Sequence, residues 1–186
     1  MKKILLIATM AFLTLGASAQ VKIGRVNSNE LVQLTDDYMQ AMKTISAAAK
    51  EADEMSQEMI DEFNTKYTTY QQKAAQWSDS MRQSKEKELT EIRQRIEEFQ
   101  QTTQQELSQK QNELMAPIVQ KVQEAITSIA KSKGITVLFD ESTMVYFDEA
   151  SVINITPDAR KALNIPADRT LETLQQELAA LQGAAE

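Results

Sequence analysis

The chain has 186 residues and a formal net charge of −7 at pH 7, and it contains neither Cys nor His. These absences exclude disulfide frameworks, the common Ser-His and Cys-His catalytic groups and the usual zinc sites. The acidic balance argues against nucleic-acid binding, because neutralisation of phosphates by Lys and Arg dominates that affinity. The four glycines form no phosphate-binding loop. We therefore expect no catalytic residue, no cofactor and no metal.

Residues 1–19 have the pattern of a signal peptide. Two lysines precede an apolar run over residues 4–15, and the segment ends in Ala-Ser-Ala, which signal peptidase recognises. The apolar run is shorter than the about 20 residues that a membrane-spanning helix needs. We expect cleavage before Gln20, export, and a mature chain over residues 20–186 that forms a single domain.

A stretch of 92 residues without glycine or proline lies between Gly24 and Pro117. Apolar and small side chains recur there at steps of three and four, which is the coiled-coil spacing. Asn27, Ser28 and Asn29 are suitable caps for its start. The pattern predicts a helical arm over residues 29–133, which Pro117 kinks or restarts.

The arm is predicted to fold back on itself as an antiparallel hairpin. Pairing about a midpoint near residues 79 and 80 sets apolar positions opposite each other, for example Leu31 opposite Ile129. A heptad pattern matches by chance in about one register in three or four, so a single long helix stays open as an alternative. Ser78, Asp79 and Ser80 favour turns and helix caps, which predicts the tip near residues 78–80. Gln100, Gln101, Gln104 and Gln105 face the Met55 region, so the middle should pack loosely.

Strand patterns flank the arm on both sides. Residues 21–26 alternate apolar and polar side chains, and residues 135–139 and 143–147, separated by Asp-Glu-Ser, are predicted to form a β-hairpin. Gly134 is expected to end the preceding helix. Because strands before and after the arm can share a sheet only if the arm goes out and returns, the hairpin interpretation is favoured.

The C-terminal part adds short elements. Residues 152–155 are predicted to be extended, and an amphipathic helix is predicted over residues 170–182. The predicted body comprises residues 21–28 and 134–165. Three short strands leave exposed edges and little core, which indicates an oligomer.

Three segments in this order resemble the Skp/OmpH family of chaperones: residues 21–27 after a signal peptide, residues 133–140, and residues 144–156. The resemblance extends over residues 21–165, and in the arm it is one of pattern. It implies an α+β, predominantly α fold: a small β-sheet body with a long antiparallel coiled-coil helical hairpin, assembled into a jellyfish-shaped homotrimer. It also implies an ATP-independent, non-enzymatic periplasmic holdase that binds unfolded outer-membrane β-barrel proteins and prevents their aggregation.

Two sets of residues are candidates for function under this resemblance. Apolar residues of the strands would build the oligomer body: Val21, Ile23, Val26, Ile135, Val137, Phe139, Val145 and Phe147. Flexible, aromatic and basic residues of the arm would contact clients: Met39, Met55, Met59, Trp77, Met81, Lys73, Arg82, Lys85 and Lys87. Methionines suit surfaces that accept many sequences, although filling of the hairpin contact is the favoured interpretation for Met59. Met39 is predicted to lie off that contact, and Trp77 is predicted to close the turn.

The charge distribution departs from the resemblance. The best-known members are basic, so the acidity of this chain puts lipopolysaccharide or anionic-membrane contact in doubt. Basic residues nevertheless outnumber acidic ones over residues 66–95, near the predicted tip, whereas residues 51–62 are acidic with no base. From the residues alone, a passive coiled-coil spacer or envelope scaffold with one fixed partner is the alternative to a holdase. The helix over residues 170–182 lies beyond the family pattern and has no predicted role.

Overall fold

The computed structural model describes residues 21–183, and side chains up to residue 181. The predicted signal peptide and its cleavage site before Gln20 lie outside the described residues. The fold is α+β and mostly helical, as predicted. The elements in chain order are β1 (Ile23–Val26), α1 (Ser28–Gln33), α2 (Asp36–Lys73), a 3₁₀ turn (Ala74–Gln76), α3 (Asp79–Ser132), β2 (Val137–Asp140), a second 3₁₀ turn (Glu141–Thr143), β3 (Ile153–Asn154), α4 (Thr156–Ala162) and α5 (Leu171–Gly183). None of the helices described is long and apolar enough to cross a membrane.

The three strands form one parallel sheet in the order β2-β1-β3. The predicted β-hairpin over residues 135–147 is therefore wrong, since residues 143–147 form no strand. The physical reason lies in the turn after β2, where the Asp140 carboxylate accepts from the backbone and hydroxyl of Ser142. Arg25 of the central strand then pairs with Glu141 and lies 4.5 Å over the ring of Phe147. These contacts draw the chain away from β2 toward β3 at the opposite edge.

The core of the body lies on one side of this sheet. Val26 lies on the core-facing side of the sheet and is buried. Ile23, Val137 and Phe139 lie on the opposite side, where Ile23 pairs with Val137 in the register, and all three are exposed. The buried cluster brings together the sheet, the helices α1, α4 and α5, the first turns of α2 and the last turns of α3: Val26, Leu31, Leu34, Met39, Val122, Ile126, Ile155, Ala159, Leu163, Ile165 and Leu174.

Local caps fix the helix ends at the body. The Asn27 side chain accepts from the backbone of Glu30 at 3.0 Å, which confirms it as the cap of α1. Gly134 has a φ of +66° and follows α3 in a Schellman motif, with Ile135 N–H donating to the Ala130 carbonyl at 2.9 Å. The role predicted for Gly134 is thereby confirmed. Asn164, with a φ of +57°, ends α4 in the same way.

The predicted helical arm differs from the structure in two places. First, it does not begin as one helix at residue 29. The helix is interrupted at Leu34 and Thr35, and the short α1 before this interruption packs into the body core. Thr35 adopts an extended backbone and caps α2 through Tyr38 N–H, and Asp36 and Asp37 follow in the first turn. Second, of the two alternatives for Pro117, a restart is excluded because α3 runs through this residue, whereas a kink stays a prediction. The arm proper is α2, the turn over residues 74–78, and α3.

Candidate functional site

The two long helices contact each other along the arm, and their ionic contacts follow a regular order. Asp37 of α2 pairs with Lys121 of α3 at 2.6 Å, Glu62 with Arg95 at 3.5 Å, and Lys66 with Glu88. As the residue number rises along α2, the number of its partner falls along α3. The chain turns between them at residues 74–78, and the Ser78 hydroxyl caps α3.

The base of the arm is closed by buried apolar side chains. Met39 and Ala41 of α2 are buried there, together with Ile118, Val122 and Ile126 of α3. The client-contact role predicted for Met39 is contradicted, because its side chain is 6% exposed and belongs to the body core. Met39 is therefore not available to a client.

In the outer part of the arm, ion pairs as well as apolar contacts hold α2 and α3 together. Lys66 of α2 bonds to the Glu88 carboxylate of α3, and Lys85 donates to the same group at 2.8 Å. Hydrogen bonds from Lys66 and then Lys85 lower the pKa of Glu88 to about 2, and the bond to Glu88 raises the pKa of Lys66. Glu62 lies 3.7 Å from Lys66 and extends this ionic network across the arm.

An aromatic group lies beside the network. Phe63 and Tyr67 stack with 5.8 Å between ring centroids, and Tyr70 meets the edge of Trp77 at 6.0 Å. The Tyr70 hydroxyl also bonds to Glu86, which raises the pKa of the phenol. Trp77 is half-buried against Tyr70 at the turn. Such packing fits its predicted role in closing the tip.

The middle of the arm is open. In the described part of α3 no side chain is buried between Ile92 and Ile118, and in α2 none is buried beyond Ala41. A groove of about 620 Å³ runs between the helices in this region. It is lined by small, apolar and hydroxyl side chains together with charged and amide ones: Ala48, Ala52, Met55, Phe99, Thr103 and Leu107, and Glu51, Glu106, Gln109, Lys110 and Glu113. Small side chains at Ala48 and Ala52 leave space that two Leu-rich helices would fill.

The remaining predicted client residues are spread over the outer half of the arm. Met55 lines the groove and Met81 lies near the tip, and each is 46% exposed. Met59 is half-buried. The basic residues are partly neutralised within α3, since Arg82 pairs with Asp79, Lys85 with Glu88, and Lys87 with Glu91 at 3.6 Å. Lys73 is exposed, and within residues 21–183 it forms no ion pair.

The predicted body residues divide into two groups. Val26 is buried in the core of its own chain, and Ile135 and Phe147 are half-buried. The others are exposed apolar side chains on or beside the sheet: Val21, Ile23, Val137, Phe139 and Val145, joined by Tyr146. An exposed apolar surface of this kind is a candidate for protein–protein contact.

The chain matches the model of a protein family described as outer membrane protein (OmpH-like) over residues 22–163. It belongs to this OmpH-like family. The match confirms the resemblance drawn from the strand segments, and no curated protein matches the chain. Membership of the OmpH-like family supports a chaperone-type role in the periplasm rather than an enzymatic one. The match ends before α5 begins.

Sequence analysis missed two features of this OmpH-like chain. One is the junction between α1 and α2, whose signal is Thr35 followed by Asp36 and Asp37, a common helix start. The apolar spacing continues through it and concealed it. The other is Arg169, which donates to the Leu34 carbonyl at 3.2 Å and pairs with Asp36. Nothing in the local sequence points to a contact across so many residues.

Proposed function

We propose that this protein is an ATP-independent periplasmic holdase that binds unfolded outer-membrane β-barrel proteins and prevents their aggregation. The observation that carries the proposal is the open middle of the arm, closed at its base and at its outer end. A rigid spacer gains from an uninterrupted apolar contact between its helices, and this arm lacks one. An open groove with an exposed methionine instead suits weak contact with many apolar segments.

The proposal includes an antiparallel coiled-coil hairpin on an oligomeric body. The falling order of the ionic partners along α2 and α3 supports the antiparallel arrangement. The exposed apolar side chains at Ile23, Val137 and Phe139 support association of copies of the chain through the outer face of the sheet. The assembly that the family resemblance implies is a homotrimer whose arms surround a cavity. Clients would be held there by the groove and by exposed residues such as Met55 and Met81.

The test is suppression of aggregation without nucleotide. A urea-unfolded outer-membrane β-barrel protein is diluted into buffer with the chain lacking residues 1–19, and light scattering is followed. We expect suppression to saturate near one client for each assembled oligomer. Unchanged aggregation across a range of salt concentrations would contradict the proposal and favour an envelope scaffold with one folded partner.

A matched pair of variants tests whether clients bind in the groove. Met55→Glu places a charge in the groove, whereas Gln57→Glu places the same charge at an exposed site of α2 that does not line the groove. We expect Met55→Glu to weaken suppression and Gln57→Glu to leave it unchanged. Equal effects of the two variants would show that the groove is not where clients bind.

A further inference from the structure

The C-terminal helix α5 lies outside the region matched by the family model, yet it packs into the body. It begins at a reciprocal cap, in which the Thr170 hydroxyl accepts from Thr173 N–H at 3.2 Å and the Thr173 hydroxyl accepts from Thr170 N–H at 2.9 Å. Leu174 is buried in the core, and Leu178 and Leu181 pack against it. The helix contacts both α1 and α2. It therefore spans the break between them.

That break is where the arm leaves the body. Leu34 ends α1, and Thr35 turns into an extended conformation before α2 starts. The Thr35 hydroxyl donates to the Val32 carbonyl at 2.8 Å and accepts from Tyr38 N–H at 3.2 Å, so it links the last turn of α1 to the first turn of α2. A helix break of this kind is a common place for a hinge, because a few residues absorb the change in backbone direction.

Arg169, in the segment that leads into α5, contacts both sides of this break. Its Nη1 donates to the carbonyl of Leu34 at 3.2 Å and pairs with the carboxylate of Asp36. The Arg169 side chain is 19% exposed, whereas that of Asp36 is 77% exposed, so solvent competes less for the bond to the Leu34 carbonyl than for the ion pair. One planar cation thus joins the residue that ends α1 to the residue that begins α2.

A second arginine holds Arg169 in place. Arg160 of α4 donates to the Arg169 carbonyl at 2.6 Å and to the Pro166 carbonyl at 3.0 Å. Its other terminal nitrogen pairs with Glu30 of α1 at 2.8 Å. The segment before α5 is thereby fixed to α4 and α1, which belong to the body. Arg169 reaches the junction from a rigid support.

We propose that residues 165–181 form a brace that fixes the direction of the arm relative to the body, with Arg169 as its positioning residue. The inference rests on the proposed function for its biological meaning, because the angle of the arm sets how wide a client cavity between arms can open. Core filling by Leu174 alone would not require an arginine at the break. The two contacts of Arg169, one on either side of Thr35, directly restrain the angle between the arm and the body.

The test measures the angle inside one chain. The protein has no cysteine, so Lys161→Cys on α4 and Gln57→Cys on α2 provide two labelling sites, both exposed. Spin-labelled chains are diluted with unlabelled protein, and the distance distribution between the labels is recorded by pulsed electron paramagnetic resonance. We expect Arg169→Ala to broaden this distribution by about twofold, because the hinge would lose both contacts that restrain its direction. Arg169→Lys should be intermediate, since the ammonium keeps the positive charge but lacks the planar, pre-organised fork of the guanidinium.

Controls keep the test decisive. Arg93→Ala removes an exposed arginine of α3 and should leave the distribution unchanged. Asp36→Asn removes the negative charge that Arg169 pairs with on the α2 side and leaves Arg169 itself in place, so it decides the question if Arg169→Ala fails to fold by circular dichroism. Unchanged widths in folded Arg169→Ala and Asp36→Asn would overturn the brace. The distance measurement involves no client, so its outcome is independent of the aggregation assay on the unsubstituted chain.

Discussion

Lys66 of α2 and Glu88 of α3 form an ion pair that joins the two helices of the arm at a point 22 residues apart in sequence. The hydrogen bonds from Lys66 and Lys85 hold the pKa of Glu88 at about 2, below its ordinary value of 4.5. Because the folded-state pKa lies below the unfolded-state value, the carboxylate stabilises the fold above pH 4.5. This contribution is lost as the pH falls from 4.5 through about 2.

Glu88→Gln should therefore change the pH dependence of stability. We expect the difference in free energy of unfolding between the unsubstituted chain and Glu88→Gln to be constant from pH 7 to pH 5 and to shrink as the pH falls below 4.5. Urea unfolding at fixed protein concentration measures it. Glu91→Gln is the control, because Glu91 pairs within its own helix, with Lys87. The same pH dependence in both variants would contradict a specific role for the pair across the arm.

Gly134→Ala should destabilise the body without altering any side-chain contact. The φ of +66° at this residue disfavours every side chain with a Cβ, and the nearest atom to an added Cβ is Lys22 Nζ at 3.8 Å. The change is thus one of backbone strain, with an expected loss of about 1–2 kcal/mol in the free energy of unfolding. Asn164→Gly, at the matching position after α4, should be neutral or stabilising. Equal stability of Gly134→Ala and the unsubstituted chain would contradict the strained conformation.

Two methionines of the arm should respond differently to truncation. Met39→Ala removes a buried side chain from the core and should lower the free energy of unfolding by about 2–5 kcal/mol. Met81→Ala acts at a side chain that is 46% exposed, and its effect should stay within about 0.5 kcal/mol. Thermal and urea unfolding of the two variants check the difference. A small effect at Met39 would contradict its burial in the body core.

The outer face of the sheet should control association. Phe139→Glu places a charge among the exposed apolar side chains beside Ile23 and Val137. We expect it to dissociate the oligomer in sedimentation velocity, because an unpaired carboxylate is costly to bury. Val119→Glu is the matched control, since Val119 is 50% exposed on α3 and lies outside the sheet. An unsubstituted chain that sediments as a monomer would contradict the proposed body.

The features that the sequence predicted well are local ones. Asn27 and Gly134 occupy positions whose backbone requirements favour few other residues, so their roles follow from residue type alone. The long helices follow from propensity and spacing in the same way. The strand pattern at residues 143–147 was misleading because alternation records only which side chains are apolar. It does not show whether the segment pairs with a neighbour in its own sheet, and here Arg25 and Asp140 hold the chain elsewhere.

The candidate site was harder to predict than the fold. Met55 and Met81 are each 46% exposed, which is compatible with the predicted client contacts. Met39 is buried in the body core, and its burial depends on tertiary packing that the helical pattern does not contain. The contact of Arg169 with Leu34 depends on where α4 directs the chain, which is a tertiary property. The contact therefore cannot be predicted from the local sequence.

The parallel sheet has a consequence for how the chain folds. Ile23 pairs with Val137, 114 residues later, and nearly all of the intervening chain is arm. Closing so long a loop costs conformational entropy, and this loss precedes any stabilising contact between the strands. Helix pairing that starts at the turn over residues 74–78 removes most of this cost, since it brings the two ends of the loop together. The arm should therefore form first, and β1 keeps unpaired edges until it has done so. The pairing rate of the arm then sets how long this chain is itself exposed to aggregation.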